Sequence, residues 1–179
     1  MLKAQTRKET GSIMIGLALI LLCFVLVVAF AVLKYYVLIF VQTRNIAENA
    51  VLSGTVYYSQ HFGDSDQLTK SDAVVSALIT TNKTLTKFGM FSKENAEINP
   101  ANLVEGFYDF SDPDCSGTCY TEPTTIIPNA LRLSTGVKSG VGKLSALLLV
   151  DSSKLKFSRT INSYAAFSNS TGVVIVNPQ

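Results

Sequence analysis

The fold is decided by residues 10–33, TGSIMIGLALILLCFVLVVAFAVL, a run of 24 residues without a charged side chain. As a helix at about 1.5 Å per residue, this run is about 36 Å long and crosses the roughly 30 Å hydrocarbon core of a bilayer. A helix also satisfies every backbone polar group inside the segment, where no water is available. The run therefore predicts a transmembrane helix.

The residues before this run predict its orientation. Lys3, Arg7 and Lys8 precede it, against the single acid Glu9. Positive flanks of a membrane helix stay in the cytoplasm. Residues 1–11 are therefore predicted to be a basic cytoplasmic leader, and the chain after a single pass is predicted to lie outside.

Two other interpretations of the run remain open. One is a secretory signal peptide, because Ala29, Phe30 and Ala31 form a small-x-small cleavage triplet. Against it, the apolar core before the triplet is long and the sequence stays apolar after it. The other is a plain anchor, which explains the hydropathy but not the residues that follow.

The sequence after the run predicts that the helix leaves the membrane without a break. After Lys34 the apolar residues resume at 35–41, and no proline occurs before Pro100. One stem over residues 12–59 is expected, with Arg44 and Glu48 one turn apart on a polar face. Its outer half should pack against a head domain through apolar residues at helical spacing: Ile39, Ile46, Ala47, Ala50, Val51, Tyr57 and Tyr58.

Residues 60–179 are predicted to form one small α+β head built on an antiparallel sheet. A helix should begin near Ser71 as its cap and bury Ala73, Val74, Ala77 and Leu78. Strands are expected at 103–110, 130–134, 154–167 with a bulge near Asn162, and 173–176, the last two joined as a hairpin. Residues 99–100 should form a turn and residues 136–142 a flexible connection, and the run 144–150 fits either a helix or a strand.

Charge and cysteine content restrict the function of the head. Residues 60–179 hold 10 basic and 11 acidic side chains, which argues against nucleic-acid binding. Cys23 lies in the apolar run and is interpreted as a small hydrophobic residue. Cys115 and Cys119 are predicted to close a short loop as a disulfide if the head lies in an oxidising compartment. A zinc site is the weaker alternative, because His61 is the only histidine.

No motif predicts an enzyme. Asp112, Asp114 and Ser116 resemble the start of a calcium loop, but its twelfth position is Pro123 instead of Glu. A Gly- and Lys-containing segment near residue 140 lacks the spacing of a phosphate-binding loop. His61 is interpreted as a surface or packing residue at the stem–head junction, and Glu105 and Asp109 as ordinary solvent-facing charges. We expect no catalytic residues, no metal and no cofactor.

Four segments resemble the TadE/TadG-like proteins of the tight-adherence (Tad/Flp) pilus system. Residues 11–19 resemble the family's Gly before an apolar stretch, and residues 45–54 its small-residue segment with an acid, Leu and Gly. Residues 104–109 and 128–133 are similar to two strands of its head. The resemblance covers roughly a third of the chain and implies a short helix at 144–150.

The resemblance also implies a function. It points to a minor pilin-like or assembly component in a bacterial inner membrane, its head periplasmic or in a surface filament, and its partners other pilin-like stems or pilus assembly proteins. It implies a possible prepilin-type cleavage after Gly11 that exposes Ser12. The chain departs from the family at Gly16, where a polymerising pilin carries Glu. The alternative is a single-pass membrane protein whose head binds a ligand or partner without any filament.

Overall fold

A single helix dominates the molecule. The computed structural model describes residues 2–85, 97–99, 103–111, 119–122, 126–140 and 156–176. Helix α1 (Leu2–Gln60) contains 59 residues and has a length of about 90 Å at the usual rise. This confirms the prediction of a stem that continues far beyond the apolar run. The helical backbone also includes the basic leader.

The second helix confirms one prediction and corrects two. Helix α2 (Gln67–Leu85) begins four residues before Ser71 and packs against α1. Ser71 is not a cap but is fully buried inside the helix. The buried face of α2 contains Ser71, Val75 and Ile79, whereas Ala73 and Ala77 are exposed. The predicted stripe was therefore wrong at Ala73 and Ala77, because contact with α1 determines which face is buried, and right at Leu78, which packs half-buried against the core cluster.

The head is built on one antiparallel sheet. Its strands are β1 (Glu97–Asn99), β2 (Leu103–Tyr108), β3 (Tyr120–Thr121), β4 (Ala130–Gly140), β5 (Lys156–Ser168) and β6 (Gly172–Val176). The order is β3-β2-β4-β5-β6, and β1 pairs with the far end of β4. The α+β class with a long stem helix and a small antiparallel head is thus confirmed.

Several details of the strands differ from the predictions. Strand β4 continues through Gly136 to Gly140, where a flexible connection was predicted, because β5 pairs with it over its whole length. No bulge occurs at Asn162, since it pairs with Ser134 in a continuous register. Strands β1 and β3 were not predicted, and β1 includes Asn99, for which a turn was expected. Residues 144–150 lie outside the described residues.

The predicted hairpin between β5 and β6 is present. Ser168 pairs with Gly172 across a three-residue connection, and Gly172 has a φ of 70°. Glycine adopts this left-handed backbone conformation at little cost, which suits a tight hairpin. Asn129 connects β2 and β5. Its side chain accepts from the Tyr108 amide at 2.6 Å and donates to the Tyr108 carbonyl at 2.9 Å, and its backbone carbonyl accepts from the Phe167 amide at 2.8 Å.

The core lies between the sheet and the outer part of α1. One face of β4 and β5 presents Leu131, Leu133 and Ala165 to the helix, and all three are fully buried. They form a single cluster with residues from both helices: Ala47, Ala50, Val51, Tyr58, Val75 and Ile79. One helix therefore both carries the long apolar run and supplies core residues to the head.

Candidate functional site

The first candidate surface is the lower stem, which we define as residues 13–33 of α1. Its large apolar side chains are bare, with Ile13 66%, Phe24 54% and Leu33 58% exposed. By length and apolar composition, α1 is the one helix of the described chain that could cross a membrane. Val28 is the exception within the lower stem, since it is only 8% exposed.

The second candidate surface is the face that the upper stem, residues 34–60, turns toward the head. Six of the seven positions predicted to pack there lie at this interface, whereas Tyr57 is half-buried and stacks on His61. Ala47, Ala50 and Val51 are fully buried, Ile46 is half-buried against the same cluster, and Ile39 packs on Ile161 of β5. Beside this face, the Arg44 guanidinium lies 2.6 Å from the Glu48 carboxylate.

The upper stem and α2 approach each other at Gly54. A methyl group placed on Gly54 would lie 2.5 Å from Cγ2 of Val75 and 3.6 Å from the carbonyl oxygen of Ser71. The first distance is far below van der Waals contact. Glycine is therefore what allows the two helices to pack this closely.

A buried hydrogen bond joins the stem to the sheet. Tyr58 is fully buried, and its hydroxyl donates to the Glu105 carboxylate over 2.9 Å. Burial, the hydrogen bond to Glu105 and its negative charge together hold the pKa of Tyr58 well above the usual tyrosine range. The sequence analysis interpreted Glu105 as an ordinary solvent-facing charge. The structure corrects this, because Glu105 on β2 accepts a hydrogen bond from Tyr58 on α1.

Aromatic rings close the upper end of this interface. Phe62 and Phe167 meet edge to face with centroids 5.8 Å apart, and each also contacts the Tyr58 ring. His61 stacks on Tyr57 at 4.1 Å, and its Nδ1 lies 3.0 Å from the Tyr57 carbonyl oxygen. The structure thus places His61 in packing contact at the stem–head junction.

The outer face of the sheet carries a separate aromatic cluster. The Tyr120 ring lies against Gly106, where a methyl group would collide with it, and meets the Tyr164 ring edge to face at 5.0 Å. Arg132 lies over Tyr120 and forms an ion pair with Glu122. Burial is the main cause that raises the pKa of Tyr120 to about 12. The described contacts give this cluster a packing role.

The sites predicted near the amino terminus lie on α1. The backbone is helical through Gly11 and Ser12, and so it is at Gly16. A methyl group on Gly16 would meet no other atom within 4 Å. Space in the isolated chain thus does not require glycine at position 16.

The other predicted sites lie partly beyond the described structure. Cys119 is buried and disulfide-bonded, but its predicted partner Cys115 is outside the described residues, so their pairing stays a prediction. The calcium candidate, Asp112, Asp114 and Ser116, is outside them as well. Over the described ranges, no group of three or more potential metal-ligating acids, histidines or cysteines occurs.

The sequence analysis missed the roles of Gly54, Glu105 and Tyr120. Strand alternation could have revealed Glu105, because it lies two residues after Leu103 and so shares its helix-facing side. The other two roles depend on long-range contacts, Gly54 with α2 and Tyr120 with β2 and β5. Local sequence patterns do not indicate such contacts.

The chain was compared with protein-family models, with curated proteins and with solved structures. None of the three comparisons gave a match.

Proposed function

We propose that this protein is a structural, non-enzymatic component of a Tad/Flp-type pilus or of its assembly machinery, similar to TadE/TadG-like minor pilins. A single pass would anchor it in a bacterial inner membrane, with the amino terminus cytoplasmic and the head periplasmic or in a surface filament. The observation that supports this most is the unbroken α1, bare in its lower stem and embedded in the head in its upper stem.

This division of the helix suits a subunit that joins others through its stem. The bare apolar surface of the lower stem requires lipid or other apolar helices around it. The upper stem supplies Ala47, Ala50, Val51 and Tyr58 to the core of the head, so the head is fixed directly on the stem. Contacts made by stems in the membrane would therefore also position the heads.

Gly16 favours an accessory component over a major pilin. A carboxylate in the hydrocarbon core is costly and persists where a partner neutralises it. The resemblance implies such a carboxylate in polymerising pilins, and this chain carries Gly16 in its place. The chain therefore lacks the charge that would pair with the new amino terminus of a neighbouring subunit.

The proposal is tested by replacing residues 13–33 with 21 leucines in the full chain and isolating pili from the host cell. Membrane retention should persist, because a leucine helix of that length still spans the bilayer. Co-isolation with pilus proteins should be lost, because the shape of the lower stem has changed. Resistance of the variant to alkaline extraction is the control for membrane insertion.

Undiminished co-isolation of the leucine variant would contradict stem-mediated assembly. If neither the natural chain nor the variant accompanied pilus proteins, the alternative would be favoured. That alternative is a single-pass protein whose head binds a ligand or partner independently of a filament.

A further inference from the structure

We propose that the head is seated on the bilayer, with Lys34 and Arg159 in contact with the phosphate groups of anionic phospholipids. This inference depends on the membrane anchoring in the proposed function, but not on a pilus. Four observations support it: the direction of β5, the burial of Val28, the positions of the two cations and the distribution of acidic residues.

The direction of β5 places the start of the strand beside the apolar part of the stem. Ile161 packs on Ile39, and six residues later Phe167 contacts the Tyr58 ring, so β5 and α1 run in the same general direction. From Ile161 back to Lys156, where β5 begins, the strand covers about 17 Å. From Ile39 back to Lys34 the helix covers only about 8 Å.

The burial of Val28 is independent evidence that the head reaches this far down. Val28 precedes Ile39 by eleven residues, close to three helical turns, so both lie on the same face of α1. Val28 is 8% exposed, whereas Val27 beside it is 67% exposed. A helix alone does not shield one face in this way. Another part of the chain therefore covers this face of the stem about 9 Å below Lys34, so the lower edge of a head seated on the bilayer would enter the outer part of the hydrocarbon.

Two exposed cations lie where the stem would leave the hydrocarbon. Lys34 is the first charged residue after the apolar run. The Arg159 guanidinium lies over the Phe40 ring, 5.2 Å from its centroid, about 9 Å along the helix from Lys34. The headgroup layer on one side of a bilayer is about 5–8 Å deep, so the two cations would lie near its inner and outer limits. Within the described part of the chain, neither cation forms an ion pair.

With the exception of Glu97, the acidic residues of the described head lie away from this end. Glu48, the lowest acid on the stem after the apolar run, is about 21 Å above Lys34 and is paired with Arg44. Asp64, Asp66 and Asp72 follow the upper end of the stem, and Glu105 lies at the level of Tyr58. The exception, Glu97 on β1, stands opposite the basic position Lys138, which in turn pairs with Ser158 next to Arg159. Basic positions still outnumber the one acidic position at this end. The membrane-proximal end is thus suited to anionic phosphate groups.

The absence of tryptophan from the chain allows a direct test. Thr160→Trp places a reporter on the exposed residue next to Arg159, and Thr69→Trp places one on α2 near the top of the head. Each full-length variant is reconstituted in phosphatidylcholine vesicles, with or without phosphatidylglycerol. A trace of lipid with a nitroxide on its headgroup quenches the fluorescence of nearby tryptophan.

We expect stronger quenching of the residue 160 reporter when phosphatidylglycerol is present. The difference between the two lipids should disappear in about 0.5 M salt, because surface charges are then screened within a few ångströms. It should also disappear when Lys34→Gln and Arg159→Gln are combined. Arg44→Gln is the matched control, since it removes a cation higher on the stem and should leave the difference intact. The residue 69 reporter should stay unquenched throughout.

Equal quenching in both lipids, or a difference that survives removal of both cations, would overturn the proposal. If the full chain resisted alkaline extraction and the residue 160 reporter were still unquenched, the head would stand clear of the lipid and only this inference would fail. If alkaline extraction released the chain, the membrane anchoring in the proposed function would fail with it.

Discussion

At the scale of single residues, Gly54 shows how strongly one position controls the fit between stem and head. Glycine normally destabilises a helix interior by about 1 kcal/mol relative to alanine. At this crossing a methyl group would instead collide with Val75, whose branched side chain has little freedom to move. The cost of the collision therefore outweighs the gain in helix propensity.

We predict that Gly54→Ala lowers the free energy of unfolding of the head by about 1–2 kcal/mol. Denaturation of the full chain in detergent micelles, followed by near-ultraviolet circular dichroism, measures this change. The effect should shrink in a Val75→Ala background, because the colliding atom is gone. Gly16→Ala is the matched control, since a methyl group there meets nothing within 4 Å. A Gly54→Ala chain as stable as the natural one would show that the helices separate at little cost.

Tyr120 makes the stability of the head depend on pH in the alkaline range. Its pKa is raised to about 12, mainly by burial, against about 10 in the unfolded chain. Between these values the folded state binds more protons than the unfolded state, so stability falls as pH rises. The stabilisation is complete below pH 10 and is lost as pH rises toward 12.

We predict that Tyr120→Phe reduces the loss of stability between pH 10 and pH 12, by an amount on the order of 2 kcal/mol. Denaturation of the natural chain and the variant at several pH values measures the difference. Below pH 9 the two chains should show parallel pH dependence, which is the internal control. Parallel curves up to pH 12 would mean that Tyr120 titrates as it does in water.

At the scale of elements, the continuity of the stem holds its apolar lower part in a fixed position relative to the core of the head. Asn45 is exposed, midway between Lys34 and Val56, so its side chain contributes little to packing. Proline at this position would remove one backbone hydrogen bond and clash with the carbonyl of Val41. A kink there would separate Ile39 from the core cluster that begins at Ile46.

We predict that Asn45→Pro costs the head about 3 kcal/mol or more in its free energy of unfolding and exposes the stem near residue 45 to protease. Asn45→Ala, which keeps the helical backbone, should change neither property. Limited proteolysis and denaturation of the full chain in micelles measure both. Equal protease resistance of the two variants would mean that the head does not require an unbroken stem.

The sequence predicted the elements best where the local pattern was strong. The apolar run and the absence of proline before Pro100 indicated α1, and the turn before Gly172 indicated the last hairpin. It failed for the second half of β4, whose residues include Gly136 and Gly140. That segment has weak strand propensity, and its pairing with β5 makes it a strand.

The same explanation applies to the candidate surfaces. The positions of the lower stem and of Ala47, Ala50 and Val51 followed from hydropathy and helical spacing. The Tyr58–Glu105 bond joins residues 47 positions apart, and the Gly54–Val75 contact depends on how two helices cross. Such contacts arise from tertiary packing, which a pattern read along one segment does not include.

At the scale of the whole molecule, one rod runs from the leader to the upper end of the head. Its lower stem is bare except at Val28, its upper stem is half enclosed, and the sheet covers one side only. The head therefore has a defined direction relative to the membrane segment. The exposed apolar residues of the lower stem and the head-facing residues of the upper stem belong to one continuous helix.

Because α1 is continuous, a rotation of the lower stem about the helix axis also rotates the head. Each residue of an α-helix turns the chain by about 100° and advances it by about 1.5 Å. One residue added between Leu33 and Lys34 would thus swing the head by about 100° around the membrane segment while hardly raising it. Seven added residues would return the head to within about 20° of its original direction and raise it by about 10 Å. The direction in which the head faces is consequently fixed by the rotation of the lower stem about its own axis.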